Sequence, residues 1–247
     1  MKYLFIDFDG VICDSVNEAY ISSWRAYYGE NEKSADIAGK HLFCSCRPFI
    51  KTGSDFMILQ DCAAKKNIPK SQEDYNKLYL KYSEEEHKNN FEKFYKSRSF
   101  LLENYPDFWF LQNKLYDGIK GVLTELRSAS AVFILSTKKS SFINEILKRE
   151  KIEWPEERIL SSVSGEKIPV IESLLKDGDT AVLIEDQAEY FKKHPKISFV
   201  LAEWGYVSDL EKASEKADRV ISLDDFRDFV SPWIIRNYEE ADRILPD

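Results

Sequence analysis

The sequence has 247 residues, of which 43% are hydrophobic and 32% are charged, so it can form one large domain or a medium domain with a smaller one inserted. The formal net charge of −8 argues against a broad nucleic-acid footprint, although a locally positive pocket can still hold phosphate. No apolar run approaches the roughly 20 residues that span a bilayer, so we expect a cytoplasmic protein with no membrane and no nucleic-acid partner.

The first strand is predicted where the apolar run Tyr3 to Ile6 opens the chain. Its continuous hydrophobicity is typical of a strand that is buried on both faces of a parallel sheet. Asp7 and Asp9 follow, and the two-residue period of extended backbone would aim both carboxylates to the same side. Gly10 then lets the chain turn at the carboxyl end of the strand, where open α/β sheets hold their ligands. Two like charges there repel unless a cation or proton lies between them, and hard oxygen ligands suit Mg²⁺.

A helical segment is predicted between about residues 14 and 116, because apolar residues recur there every three or four positions. Residues 30 to about 55 are less periodic, which favours a loop or a broken helix. The charged stretch from Glu73 to Phe100 keeps an apolar stripe, so we expect its charges to form a solvated face. The four cysteines of the chain lack the paired spacing of a zinc site, and we expect reduced structural thiols.

Strands and helices alternate after Tyr116, which is the pattern of βαβ units and a parallel sheet. The predicted strands are 131–135, 158–160, 180–184, 197–201 and 219–221. We therefore expect an α/β fold, with a Rossmann-like parallel-sheet core of residues 1–13 and 118–247. An all-helical domain of residues 14–117 would be inserted after the first strand.

Polar residues stand where these strands end or where the following helices begin. Ser136 and Thr137 follow the second predicted strand, where a hydroxyl and the N–H groups of a helix start suit an anion such as phosphate. Lys167 opens a later helix, a position at which a lysine is usually solvated. Glu185 and Asp186 follow the fourth predicted strand and place two more acids at a strand end.

The stretch Asp7-Phe8-Asp9-Gly10-Val11 resembles the first signature motif of the haloacid dehalogenase-like (HAD) superfamily. The superfamily's second motif is a Ser or Thr after a strand, for which Ser136 fits best and Thr137 is the alternative. Lys167 matches the third motif, and the acid pair Glu185-Asp186 resembles the fourth. The four signals stand in the superfamily's order, each at a strand end or a helix start.

The inserted segment resembles a helical C1-type cap, and Tyr116-Asp117-Gly118-Ile119 with the helix after it resembles the phosphoglycolate phosphatase-like branch. The resemblance implies a Mg²⁺-dependent phosphatase that hydrolyses a small phosphorylated metabolite, a phosphate monoester, through an aspartyl-phosphate intermediate. Asp7 would be the nucleophile, and Asp9 the general acid and base. Mg²⁺ would be held by Asp7, Asp186 and the backbone carbonyl of Asp9, with Glu185 as an outer partner. The residues implied in substrate contact are Gly10, Ser136, Thr137, Lys167 and, in the cap, the cations Arg47 and Lys51.

Two alternatives stay open at this level. A phosphomutase of the same superfamily uses both aspartates, and a binding or regulatory protein could use the scaffold without catalysis. Glu189 matches one family spacing for a further acid, but its role is open. The sequence identifies neither the phosphorylated substrate nor the oligomeric state.

Overall fold

The computed structural model describes residues 1–29, 37–50, 52–162 and 165–242. The chain divides into two compact units, Met1–Asp14 with Leu115–Asp247, and Ser15–Lys114. Asp14 and residues 115–117, which we expected in the inserted domain, thus cluster with the first unit. Two hydrogen bonds join these residues to that unit: the Tyr206 hydroxyl donates to Asp14 Oδ1 at 2.7 Å, and the Tyr116 N–H donates to the Ile12 carbonyl at 3.1 Å.

Numbered in chain order, the described strands are β1 (Lys2–Ile6), β2 (Cys13–Asp14), β3 (Lys114–Leu115), β4 (Val132–Ser136), β5 (Ile159–Ser161), β6 (Thr180–Glu185), β7 (Ile197–Ala202) and β8 (Arg219–Ile221). The first unit is built on a parallel sheet, which has six strands within the described residues, in the order β5-β4-β1-β6-β7-β8. β2 and β3 form a separate two-stranded sheet. The predicted α/β fold with a parallel sheet is confirmed.

β1 lies between β4 and β6, with Ile6 opposite Ile134 on one side and Ile184 on the other. This central place explains its continuous apolar run, because Leu4, Phe5 and Ile6 are all fully buried. Since the strands are parallel, their carboxyl ends meet at one edge of the sheet, where the polar residues of the sequence motifs follow.

Helices of the same unit are α7 (Ile119–Leu126), α8 (Ser140–Arg149), α9 (Ile168–Leu174), α10 (Leu210–Ser214) and α11 (Phe226–Asp242). Helix α7 buries Ile119, Val122, Leu123 and Leu126, which is the spacing of one helical face. Ile171 of α9 packs with Phe5, Leu183 and Leu201 of the sheet in one apolar core. Helix α10 was not predicted, because five residues are too few to show a period. In the described residues, no helix is long and apolar enough to cross a membrane.

The second unit is helical in its described part, apart from turns and Lys114. Its helices are α1 (Val16–Tyr28), α2 (Ile37–Ser45), α3 (Gly53–Ala64), α4 (Gln72–Tyr79), α5 (Glu84–Asn104) and α6 (Pro106–Leu111). Residues 30–36 and 51 of the poorly periodic stretch lie outside the described residues; the described part is a broken helix, since a 3-10 turn, Arg47–Phe49, separates α2 from α3. The charged stretch divides at Ser83, which forms a capping box with Glu86 at the start of α5.

One charge in that stretch is not solvated. Arg98 of α5 is only 3% exposed, and its guanidinium donates to both oxygens of the buried Glu18 carboxylate of α1, at 2.9 and 2.7 Å. The Trp109 indole N–H of α6 and the Ser22 hydroxyl also donate to Glu18 Oε1, at 3.1 and 2.6 Å. The prediction of a wholly solvated charged face is therefore wrong at Arg98, whose ion pair ties three helices together.

Candidate active site

Three acidic side chains meet at the carboxyl ends of β1 and β6. Asp7 follows β1, Glu185 ends β6 and Asp186 follows it. The Asp7 N–H donates to the Ile184 carbonyl at 2.9 Å, which holds the two strand ends in register. One carboxylate oxygen from each acid lies within 4.8 Å of the other two, and all three residues are buried.

Lys167 brings a cation to these acids. Its Nζ lies 2.7 Å from Asp7 Oδ1 and also donates to Glu185 Oε2. The side chain is 1% exposed, with its Nζ 5.0 Å from the ring centroid of Tyr190. A lysine just before a helix is usually solvated, so the burial of Lys167 must be supported by the charges that it meets.

Burial shifts the pKa values of the cluster. It raises the pKa of Asp7 to about 7, a shift that Glu185 increases and Lys167 opposes. It likewise raises the pKa of Glu185 to about 7, with Lys167 opposing and Asp186 adding to the shift. For Lys167, burial lowers the pKa, but attraction to Asp7 and Glu185 outweighs it and raises the pKa overall.

The acid cluster fits a divalent cation. Lys167 supplies one positive charge against the three carboxylates, and a divalent ion carries the charge that offsets the other two when all are ionised. Carboxylate oxygens are the donors that Mg²⁺ prefers. Glu185 is engaged through both oxygens, because Oε1 accepts from the N–H groups of Asp186 and Gln187 at 3.0 and 3.1 Å and Oε2 accepts from Lys167. Glu185 therefore positions the lysine, while Asp7 and Asp186 are the better candidates to ligate the ion.

The backbone of two glycines lies close to Asp186 and limits where its side chain can go. Gly10 has a φ of +95°, and a Cβ there would come within 2.0 Å of Asp186 Oδ2. A Cβ on Gly205 would come within 2.2 Å of Asp186 Cβ, and the Tyr206 N–H donates to Asp186 Oδ2 at 2.7 Å. Gly10 is thus needed for space and for its turn, whatever it contributes to a substrate. The sequence gives no signal for this contact, because a glycine after an apolar run is typical of any turn that follows a strand.

Asp9 forms an ion pair with a second buried lysine. Asp9 lies in a turn closed by the N–H groups of Ile12 and Cys13, which donate to the Phe8 carbonyl at 2.9 and 2.8 Å. Asp9 Oδ1 pairs with Lys138 Nζ at 2.9 Å, and the Lys138 side chain is 1% exposed. Sequence reasoning gave Lys138 no role, because beside Lys139 it resembles an ordinary cation before a helix. The only sequence signal is its place two residues after a strand end.

The hydroxyl residues lie on the strand beside β1. Ser136 ends β4, is 1% exposed, and its Oγ accepts the Lys138 N–H at 3.3 Å. Thr137 follows in the turn and is half-buried. Ser136 is therefore at the same sheet edge as Asp7.

The remaining expected residues contribute less to this picture. Arg47, one of the two cap cations expected to contact substrate, is 7% exposed, donates to the Ile50 carbonyl at 3.2 Å and lies 5.6 Å from the Phe56 ring centroid within the helical unit. Lys51 lies outside the described residues. Glu189 is in the 3-10 turn Ala188–Tyr190 and is not one of the three clustered acids.

Comparisons with known proteins identify the fold. No protein-family model and no curated protein matches the sequence. Among solved structures, a predicted phosphoglycolate phosphatase from Haemophilus somnus is 19% identical with a TM-score of 0.60, and the match covers 94% of this chain and 97% of that one. A predicted phosphatase from Clostridium acetobutylicum is 17% identical with a TM-score of 0.59, covering 94% and 98%. A haloacid dehalogenase-like family hydrolase from Streptococcus pneumoniae is 16% identical with a TM-score of 0.54, covering 89% and 92%.

The chain therefore has the fold of the HAD-like phosphatases. The sequence resemblance to the HAD superfamily and the structural similarity agree, although they rest on different observations.

Proposed function

We propose that the chain is a Mg²⁺-dependent phosphatase that hydrolyses a small phosphate monoester through an aspartyl-phosphate on Asp7. The observation that carries the proposal is the buried group of Asp7, Lys167, Glu185 and Asp186 at the carboxyl edge of the sheet. The proteins of similar structure are named as predicted phosphatases, which supports a phosphate ester as substrate. One of them is named as a predicted phosphoglycolate phosphatase, so phosphoglycolate is a compound to test.

The Asp7 carboxylate attacks the phosphorus, and the bond from phosphorus to the leaving oxygen breaks. Asp9 gives its proton to that oxygen, so an alcohol departs. Water then attacks the phosphorus of the aspartyl-phosphate, Asp9 takes a proton from it, and inorganic phosphate leaves with Asp7 restored. The two aspartates thus divide the work of nucleophile and proton carrier.

Lys167 and Ser136 donate to the oxygens of the transferring phosphoryl group, and Lys167 also offsets the repulsion between that group and Asp7. Asp7, Asp186 and the backbone carbonyl of Asp9 would hold Mg²⁺, which when bound neutralises negative charge on the phosphoryl oxygens. The helical unit, Ser15–Lys114, would act as the cap that limits access of bulk water.

The proposal is tested with the purified chain and p-nitrophenyl phosphate, with magnesium and with excess EDTA. Phosphate release that requires magnesium and disappears in Asp7→Asn is the expected result. Release that persists in folded Asp7→Asn would contradict the role of Asp7. In a second assay with a sugar phosphate, movement of the phosphoryl group between two positions without release of inorganic phosphate would indicate a phosphomutase. Absence of phosphate release from both compounds would contradict the proposed phosphatase activity.

A further inference from the structure

The second buried lysine of the site, Lys138, has no part in the four sequence motifs. Its backbone lies in the turn between β4 and α8, and hydrogen bonds from β4 and β5 hold this turn. The Ser161 hydroxyl of β5 donates to the Lys138 carbonyl at 3.0 Å and accepts the Ser140 N–H at 2.6 Å. Ser136 Oγ accepts the Lys138 N–H at 3.3 Å. Three hydrogen bonds therefore hold the backbone from which the lysine extends.

The side chain of Lys138 runs through the interior to Asp9. Its Nζ lies 5.5 Å from the ring centroid of the fully buried Phe8 and 2.9 Å from Asp9 Oδ1. The Asp9 side chain is 15% exposed, so it is less buried than the lysine with which it pairs. A buried ammonium requires a partner, because an uncompensated charge in the interior is strongly unfavourable. The pair therefore holds Asp9 in one orientation.

The two aspartates of the site pair with different lysines. Asp7 pairs with Lys167 from α9's start, whereas Asp9 pairs with Lys138 from the turn after β4. A proton carrier must be placed within hydrogen-bonding reach of the leaving oxygen, and an error of about 1 Å in such placement can cost on the order of a hundredfold in rate.

We propose that Lys138 is a positioning residue: its ammonium donates to Asp9 Oδ1 and so leaves Asp9 Oδ2 to carry the proton that passes to the leaving oxygen. The role rests on the phosphatase activity proposed above. Lys138 acts through Asp9 and not by its own contact with the phosphoryl group. Its removal should therefore matter most for esters whose leaving group needs a proton.

The test compares phenyl phosphate with p-nitrophenyl phosphate, whose leaving group departs readily without protonation. The value of kcat/KM reports steps up to the release of that group. In Lys138→Met, kcat/KM should fall roughly tenfold to a hundredfold more for phenyl phosphate than for p-nitrophenyl phosphate, which is part of the ~10²–10⁴-fold that general acid catalysis supplies. The matched control is Lys120→Met, which removes an exposed lysine that pairs with Glu150 at 3.1 Å in the same unit; it should leave both values unchanged.

A second comparison remains informative even if Lys138→Met alone fails to fold because Asp9 loses its buried cation. Asp9→Asn and Asp9→Asn/Lys138→Met are compared, and the double variant leaves no orphaned charge. If Lys138 acts through Asp9, the two should have kcat/KM values within about threefold of each other, since interacting sites are not additive.

Each outcome decides a different point. An equal loss of kcat/KM for both esters, or a further large loss when Lys138 is replaced in the Asp9→Asn background, overturns the positioning role and makes Lys138 a direct contact of the phosphoryl group. No loss in Lys138→Met also overturns it. A wild-type chain that releases no phosphate from either ester overturns the proposed function and this role together, whereas an active wild type with such losses in the variants overturns the role alone.

Discussion

Lys167 is the residue on which the electrostatics of the site depend most. Its ammonium touches Asp7 and Glu185 while its side chain is almost fully buried. Removal of one partner of a buried ion pair leaves the other without compensation, so the lysine serves stability as well as chemistry.

We expect Lys167→Met to lower turnover by roughly 10²–10³-fold, the range for losing one preorganised charge contact to a developing negative charge. It should also lower the melting temperature in EDTA, because two buried carboxylates lose their cation. Steady-state kinetics and thermal unfolding of the same preparation measure both effects. Lys120→Met is the control, and wild-type turnover in folded Lys167→Met would remove this residue from the site.

Gly205 is the clearest steric requirement. A methyl group there would meet Asp186 Cβ at 2.2 Å and the Gly10 carbonyl oxygen at 2.6 Å, so one of them must move. We expect Gly205→Ala to raise the magnesium concentration that gives half-maximal activity by about tenfold or more, because losing the contacts that orient a metal ligand typically costs about 10–100-fold in metal affinity.

Gly121→Ala is the matched control for that change, since a Cβ at Gly121 meets nothing within 4 Å. It lies inside α7 and should stabilise the chain by about 0.5–1 kcal/mol while leaving the magnesium requirement alone. An unaltered magnesium requirement in Gly205→Ala would show that the turn does not position Asp186.

At the scale of elements, α1, α5 and α6 are joined by the buried Glu18–Arg98 pair. Arg98→Met should destabilise the chain by about 3–5 kcal/mol, because it removes the cation that compensates the charge of the buried Glu18 carboxylate. Glu18→Gln/Arg98→Met should lose less, since glutamine keeps an acceptor for the Trp109 and Ser22 donors and carries no charge.

Denaturant unfolding followed by fluorescence and circular dichroism measures these differences. Lys65→Met is the control within the helical unit, because Lys65 and Asp61 pair near the surface and such pairs contribute about 0–1 kcal/mol. If Arg98→Met were no more harmful than Lys65→Met, the buried pair would not be a main support of this unit.

Across the whole molecule, the parts that could be predicted from sequence are those with a local signal. β1 shows as an apolar run because both of its faces are covered, and the acids at its end and at the end of β6 show because they interrupt such runs. The capping box at Ser83 is likewise local and would have divided the charged stretch.

The rest depends on contacts between distant residues. Arg98 and Lys138 look like their solvated neighbours, and their burial follows from partners 80 and 129 residues away. Gly205 reads as an ordinary turn residue, because its closeness to Asp186 arises only when β6 and β7 pair. Sequence patterns give the period of an element, whereas the partner of a single side chain is set by topology.

The central claim is that Asp7 forms a covalent bond to phosphorus, and rapid quenching tests it most directly. Asp9→Asn is mixed with p-nitrophenyl phosphate and magnesium, quenched in acid, digested and analysed by peptide mass spectrometry. The variant should accumulate phosphoenzyme, because the leaving group departs unaided but water is no longer activated. The account predicts one phosphoryl group on the peptide that contains Asp7; release of p-nitrophenol with no such peptide, or with the phosphoryl group on another residue, would contradict it.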